Sequence, residues 1–186
     1  MYPNNNNRSN ENQEQTEEFL GKEPSEFILG YLTCPQDAAN AFLGALMLTD
    51  FRARPLHFSF VSPVRPTRLQ RILYGSTLNE HLKIDVIAGK LLKDIPHLPD
   101  VLFVDDPELL LIRRITESPT ALLTKSSDSE PKPGKLSMLE YNTGSNMVDQ
   151  EVVGQILATL ETVVDLIEPF TRMREALKEA IKSPDA

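Results

Sequence analysis

Short apolar runs bounded by turn residues are the feature of this sequence that most limits its fold. Three of them are continuous and lie at residues 27–32, 43–49 and 101–104. A strand that is buried on both faces of a sheet shows no polar alternation, because neither face meets water. The three runs therefore predict strands, of which residues 101–104 are the clearest buried one.

A fourth segment, residues 55–61, alternates instead. Leu56, Phe58 and Phe60 share one face of it, which is typical of a half-buried strand. The connection at residues 50–54 has hairpin length. Residues 43–49 leave an alternative open, because a short apolar run also fits a buried helix. In that alternative, a helix with Pro35 in its first turn continues through the run.

Helical signals fill most of the chain between and after these runs. Thr67 is predicted to cap a helix over residues 68–74, and Thr77 to open a capping box and a helix that ends near residue 93. Asp106 is predicted to cap a helix that begins at Pro107. Further short strands are predicted at residues 120–124 and 136–141.

The longest helical signal covers residues 149–182. Its apolar residues recur three and four positions apart, at Val153, Ile156, Leu160, Val163, Ile167 and Phe170. Such a stripe packs on its own sheet or pairs with a second copy as a homo-oligomer. The predicted fold class is α+β or α/β: a single domain with a small mixed sheet, helices packed on it, and a long C-terminal helix kinked at Pro169.

Composition divides the chain. Residues 1–24 contain six asparagines and five glutamates, so they bury too little apolar surface to fold and are predicted to be a disordered tail. Residues 126–135 are rich in serine and proline, which predicts an internal flexible loop. We expect one globular domain over residues 25–182 and a short tail at 183–186.

Several classes of protein are excluded by residues that are scarce. The single cysteine, Cys34, cannot build a disulfide framework, and it is expected to be a buried structural thiol. The three histidines show no metal-ligand spacing, so we predict no metal and no cofactor. No apolar run approaches the roughly 18 residues that span a membrane, and no secretion signal opens the chain. A cytoplasmic location is expected.

One part of the chain carries an opposite charge to the rest. Residues 51–79 contain no acidic residue, whereas the whole chain has a net charge of −8. Five arginines lie in this stretch: Arg52, Arg54, Arg65, Arg68 and Arg71. Leu69, Ile72 and Leu73 are expected to face inward, so that Arg68 and Arg71 face solvent. Because guanidinium groups bind phosphates and carboxylates, the five arginines are candidate contacts for an anionic partner, unless they neutralise the domain's own acids.

Two adjacent carboxylates, Asp105 and Asp106, follow the apolar run at residues 101–104. Acids at the end of a strand are candidate Mg²⁺ ligands, because hard cations prefer oxygen donors. The alternative is that Asp106 caps the next helix while Asp105 is solvated. No G-x-x-x-x-G-K-[ST] pattern occurs that would hold a nucleotide phosphate.

Three functional hypotheses follow. The first is a non-enzymatic interaction or regulatory module, a subunit of a cytoplasmic assembly that binds an anionic protein partner through the arginines. The second is a nucleic-acid-associated protein in which Arg65, Arg68 and Arg71 contact phosphates. The third is a small divalent-metal or phosphate-handling enzyme centred on Asp105 and Asp106. Since no catalytic constellation is complete, the sequence favours a protein that is not an enzyme.

Overall fold

The computed structural model describes residues 22–125, 139–160 and 164–182. The disordered tail predicted at residues 1–24 therefore lies outside the described residues except for 22–24, as do the flexible loop at 126–135 and the tail at 183–186. Six strands form one mixed sheet in the order β3-β2-β1-β4-β5-β6. Their bounds are β1 Leu29–Thr33, β2 Phe42–Thr49, β3 Pro55–Val64, β4 Val101–Val104, β5 Thr120–Lys125 and β6 Leu139–Asn142.

Four helices accompany the sheet within the described ranges. Helix α1 is Arg68–Tyr74, α3 is Met147–Leu160 and α4 is Glu168–Lys182. Helix α2 has three consecutive parts, an α-helical Leu78–Glu80, a π-helical His81–Ala88 and an α-helical Gly89–Lys93. A 3₁₀ helix, Pro107–Arg114, follows β4. The predicted class, an α+β single domain with helices on a mixed sheet, is confirmed.

Strand direction decides which residues meet at each end of the sheet. Strands β1, β4 and β5 are parallel, whereas β2 is antiparallel to both β1 and β3. Strands β1, β3, β4 and β5 therefore all end on the same side, which we call the carboxyl end of the sheet. In open α/β sheets this end is the one that binds ligands.

Each face of the sheet has its own core. On one face α3 and α4 cover the strands, and Tyr31 packs against Phe103 and Phe170 with ring centroids 5.5 and 5.3 Å apart. On the other face α2 and the 3₁₀ helix cover Leu46 and Leu102. Burial on both faces explains why the central strands read as continuous apolar runs.

The alternative of a helix from Pro35 through residues 43–49 is wrong, because these residues form the fully buried strand β2. The chain turns back before β2 instead. The Asp37 carboxylate accepts hydrogen bonds from the Ala39 and Ala41 N–H groups, both at 2.8 Å, and the Leu43 N–H donates to the Pro35 carbonyl. An aspartate that binds its own following backbone stabilises a turn rather than a helix.

The predicted caps at Thr67 and Thr77 have different outcomes. Thr67 caps α1 as predicted and forms a capping box with Gln70, whose N–H donates to the Thr67 hydroxyl at 3.2 Å. At Thr77 the prediction is wrong, because its hydroxyl donates backward to the Tyr74 carbonyl. The chain is already helical there, in a 3₁₀ turn over Gly75–Thr77, so no helix start needs a cap.

The C-terminal segment is two helices rather than one kinked helix. Asp165 accepts the N–H groups of Ile167 and Glu168 and so caps α4, and Pro169 stands in the first turn of that helix, where its missing N–H costs nothing. The apolar residues of both helices pack on the chain's own sheet. Within the described residues, these two helices therefore leave no free apolar stripe through which a homo-oligomer could form. None of the helices in the described ranges has the length and hydropathy to cross a bilayer.

Candidate functional site

The carboxyl end of the sheet brings Asp105 against the end of β1. The Thr33 hydroxyl donates to Asp105 Oδ2 at 2.7 Å, and the Arg174 guanidinium from α4 binds the same oxygen. The Asp105 side chain is only 10% exposed. Burial raises the pKa of Asp105 above its ordinary value, although Thr33 and Arg174 act in the opposite direction. The expectation that Asp105 is solvated is therefore wrong.

Asp106 turns to the other face of the sheet. Its Oδ1 accepts the Glu108 N–H at 2.9 Å, which confirms that it caps the 3₁₀ helix. Its Oδ2 lies 2.5 Å from Lys83 Nζ, and Glu108 Oε2 lies 2.7 Å from the same nitrogen. The Lys83 side chain is 11% exposed. Burial lowers the pKa of Lys83, but the two carboxylates outweigh burial and leave that pKa raised.

The two adjacent acids therefore bind different cations rather than sharing one. Asp105 is neutralised by Arg174 and Asp106 by Lys83. Among the described residues, no group of three or more His, Cys, Asp or Glu side chains is arranged to hold a metal ion. The geometry gives no support to Asp105 and Asp106 as a shared Mg²⁺ site.

Sequence reasoning missed both cations. The sequence contained a local signal for Lys83, because this charged residue stands directly between two apolar residues, Leu82 and Ile84, on a helix with two apolar stripes. Arg174 had none, since it lies 69 residues from Asp105 in the chain. Cys34, next to Thr33, is 3% exposed, and burial raises the pKa of its thiol. A buried protonated thiol is a structural group, not a nucleophile.

The five arginines of residues 51–79 form two groups, one at each end of β3. Arg52 and Arg54 lie in the turn between β2 and β3, where Arg54 binds Asp50 at 2.6 Å and Arg52 lies over the Phe51 ring. Arg65, Arg68 and Arg71 lie at the carboxyl end of the sheet, on and before α1. At about 3.3 Å per residue, the length of β3 separates the two groups by roughly 30 Å.

The second group is open to solvent and weakly paired. Arg65 is 3.7 Å from Asp37, and Arg71 Nε donates to the Pro66 carbonyl at 3.4 Å. Arg68 has no partner within the described part of the chain. We call Arg65, Arg68 and Arg71, with the side chains of α1 between them, the arginine surface.

The expected inward face of α1 is wrong. Leu69, Ile72 and Leu73 are 64–71% exposed, and α1 has no buried residue. The helix follows the outermost strand, and its main packing contacts are with the turn and the start of α2 that come next in the chain. Because α1 follows the outermost strand and packs mainly on the segment after it, its apolar side chains belong to neither core of the described chain.

Comparison with known proteins gave only structural matches. No protein-family model matches the chain, and neither does any curated protein. Endonuclease V from Ciona intestinalis, in complex with a 23mer DNA containing an inosine followed by a ribo-adenosine, matches with a TM-score of 0.35 and 12% identity over 86% of this chain and 69% of that one. The catalytic domain of human Endonuclease V matches with a TM-score of 0.36 and 13% identity, over 82% and 68% of the two chains.

These matches contradict the first functional hypothesis. Three of the solved structures that resemble this chain are DNA-bound or catalytic forms of an endonuclease; against them the prediction of a non-enzymatic interaction or regulatory module is wrong, and its protein partner is unsupported. TM-scores of 0.31–0.36 describe a partial overlap, which carries neither active-site residues nor a reaction over to this chain.

Proposed function

We propose that this chain binds nucleic acid and that Arg65, Arg68 and Arg71 contact its phosphates. The observation that carries the proposal is how few ion pairs these arginines form. Of the three exposed guanidinium groups, only that of Arg65 lies near a carboxylate, at 3.7 Å from Asp37, and the stretch itself contains no acidic residue. A planar guanidinium donates two parallel hydrogen bonds to a phosphate, so three on one surface form an electrostatic footprint for a polyanion.

The other described arginines contrast with this group. Arg113 binds Asp149 at 2.9 Å, and Arg114 binds Glu80 at 2.6 Å. Arg172 binds Glu168 at 3.0 Å. These three arginines, like Arg174 beside Asp105, neutralise the domain's own acids, which was the alternative interpretation of the arginine set. Arg52, which lies over the Phe51 ring, is an exception. That interpretation fits Arg54, but it leaves the arginine surface without a use.

An aromatic ring lies beside the arginines. Tyr74 ends α1 and stacks on the His81 ring with centroids 4.4 Å apart and an interplanar angle of 14°. Tyr74 is still 37% exposed, so one part of the held ring faces solvent. Nucleobases stack on such rings whatever their sequence, which favours single-stranded nucleic acid over duplex.

Salt dependence of binding tests the proposal. We would measure the dissociation constants of labelled single-stranded and duplex DNA and RNA by fluorescence anisotropy, over a range of KCl concentrations. The plot of log K against log salt has a negative slope, and each lost phosphate contact reduces the magnitude of that slope by roughly 0.7 for single strands. The variant with Arg65→Gln, Arg68→Gln and Arg71→Gln is therefore expected to lose about two units of slope.

A control variant separates the surface from overall charge. Lys90→Gln, Lys178→Gln and Lys182→Gln together remove the same three charges from exposed positions on α2 and α4. We expect this variant to keep the slope of the wild type. Wild type that binds no nucleic acid, or two triple variants with equal losses, would refute the proposal. The cytoplasmic location expected from the sequence stays a prediction.

A further inference from the structure

The outermost strand of the sheet has an unpaired side. Strand β3 pairs with β2 only, and no described strand lies beyond it. Its ten residues include no charged side chain, while Leu56 is 59% and Phe60 41% exposed. Proteins protect such edges with charges, prolines or bulges, because an unprotected edge offers free N–H and C=O groups to another strand. In β3 the prolines and the irregularities of the ladder with β2 lie only toward the two ends, between residues 55 and 57 and between 61 and 64, so residues 57–61 remain a regular edge. The free side of β3 is built for pairing.

We propose that two copies of this chain pair antiparallel along β3, about a two-fold axis at Ser59, and thereby join the two arginine groups across the interface. An antiparallel edge is its own complement, because a two-fold axis turns each donor of one copy toward an acceptor of the other. A second copy therefore satisfies the whole edge without requiring a partner of different chemistry.

The prolines of β3 define the register. Pro55 and Pro63 each lie four residues from Ser59, so an axis at Ser59 places Pro55 opposite Pro63 of the second copy. Proline has no N–H to donate and is tolerated at the ends of a ladder. The five regular residues 57–61 are left to form the pairs, with His57 opposite Val61 and Ser59 opposite itself.

Side chains on both faces suit this register. Within one copy, the rings of Phe58 and Phe60 stack with centroids 6.2 Å apart. The axis places Phe58 of each copy opposite Phe60 of the other, which makes a cluster of four rings. On the opposite face, the Ser59 hydroxyl is buried without a hydrogen-bond partner, as is Nε2 of His57. Opposite serines bring two such hydroxyl groups within reach of each other, and each can donate or accept.

The register also decides where the arginines lie. It sets Arg65 level with Ala53 of the second copy, between Arg52 and Arg54 of that copy. Each end of the dimer then presents arginines from both chains, whereas one copy holds its two groups roughly 30 Å apart. This consequence rests on the proposed function, because the repulsion between such groups is relieved by a polyanion.

Cysteine cross-linking tests the pairing. In the proposed register the two Ser59 Cα atoms lie about 4.5–5.5 Å apart, within the range of a disulfide. Ser59→Cys is nearly isosteric, and the native Cys34 is buried, so background cross-linking is low. We expect Ser59→Cys to give a covalent dimer on a non-reducing gel after mild oxidation.

Ser62→Cys is the matched control on the same strand. In the proposed register, Ser62 of one copy and Ser62 of the second copy are displaced by six residues along the strands, so the two are about 20 Å apart. We expect no self-cross-link from this variant. Failure of Ser59→Cys to cross-link, or equal cross-linking by both variants, would overturn the proposed pairing.

Sedimentation of the full chain without nucleic acid provides a second measurement. We expect a dimer of the wild type and a monomer of Phe60→Lys, because the substitution places a charged side chain against Phe58 of the second copy and breaks the cluster of four rings. The matched control is Met147→Lys, at the start of α3, whose side chain is 82% exposed and which should stay dimeric. A monomeric wild type would contradict the proposal, as would an equal effect of both substitutions.

A nucleic-acid measurement separates this inference from the proposed function. Arg52→Gln should lower the salt slope by roughly 0.7–0.9 in the dimer, and by nothing in the Phe60→Lys background. Equal losses in both backgrounds would overturn the joining of the arginine groups. If the wild type dimerises and cross-links but binds no nucleic acid, the proposed function fails and the pairing along β3 stands.

Discussion

Arg113 Nε donates to both carboxylate oxygens of Asp149, at 3.1 and 2.9 Å, and so ties the 3₁₀ helix to α3. The Asp149 side chain is 1% exposed, and its Oδ2 also accepts the Thr120 N–H at 3.0 Å, at the start of β5. Arg113 in addition donates to the Thr116 carbonyl at 2.9 Å. One buried carboxylate thus holds three elements together.

Asp149→Ala is expected to lower the free energy of unfolding by about 3 kcal/mol, because Arg113 and the Thr120 N–H both lose their acceptor inside the protein. Urea denaturation followed by circular dichroism measures the loss. Glu179→Ala is the control, since Glu179 pairs with Lys182 at 3.6 Å where both side chains are exposed, and it should leave the midpoint nearly unchanged. A loss for Asp149→Ala no larger than that of the control would contradict the structural role of Asp149.

Asp105 and Asp50 are expected to give stability opposite dependences on pH. The folded pKa of Asp105 is raised, so the folded chain binds its proton more tightly, and the wild type loses stability as pH rises through that pKa. Asparagine has no proton to lose. The free energy of unfolding of Asp105→Asn, relative to wild type, should therefore increase between pH 4 and pH 7.

Asp50→Asn should change in the other direction. Burial of Asp50 favours a higher pKa, but hydrogen bonds from Arg54 and Arg52 outweigh it and lower the pKa of that carboxyl. A lowered pKa contributes stability above the unfolded value, and this stability is lost as pH falls through the folded pKa. Asp50→Asn should cost more at pH 7 than at pH 3. Parallel trends for the two variants in urea titrations would refute these assignments.

Asp106 combines a helix cap with an ion pair, and two substitutions separate them. Asp106→Ser keeps an oxygen that can accept the Glu108 N–H, whereas Asp106→Ala removes the cap as well. We expect Asp106→Ala to be less stable than Asp106→Ser by about 1 kcal/mol, the typical contribution of an N-cap. Both variants lose the bond to Lys83, so that loss cancels in the comparison. Equal melting temperatures would exclude a capping role.

Gly44 is required by the packing of α2 on β2. A Cβ added at Gly44 would lie 2.1 Å from Cγ2 of Ile87, which is itself fully buried. Gly44→Ala should cost about 1–3 kcal/mol through overpacking. Combining it with Ile87→Ala should cost less than the sum of the two single substitutions, because the removed side chain makes room for the methyl group. Additive losses would place the two residues out of contact.

Local signals in the sequence determined several parts of this protein. The apolar runs specify β1, β2 and β4, because strands buried on both faces have no polar positions, and the alternation at residues 55–61 specifies the half-exposed β3. The caps at Thr67 and Asp106 were also predictable. The caps rest on interactions between residues at most four positions apart, and the strands show in the polarity of consecutive residues, so both can be recognised in the linear sequence.

Strand order decided the rest. Arg174 meets Asp105 because α4 packs on β1 and β2, and β1 is the neighbour of the strand that Asp105 follows. Lys83 meets Asp106 because a π-helical turn lies over the other face. The exposed side chains of α1 follow from the position of β3 at the edge of the sheet. Contacts between residues tens of positions apart depend on which strands become neighbours, and composition and periodicity carry no information about that choice.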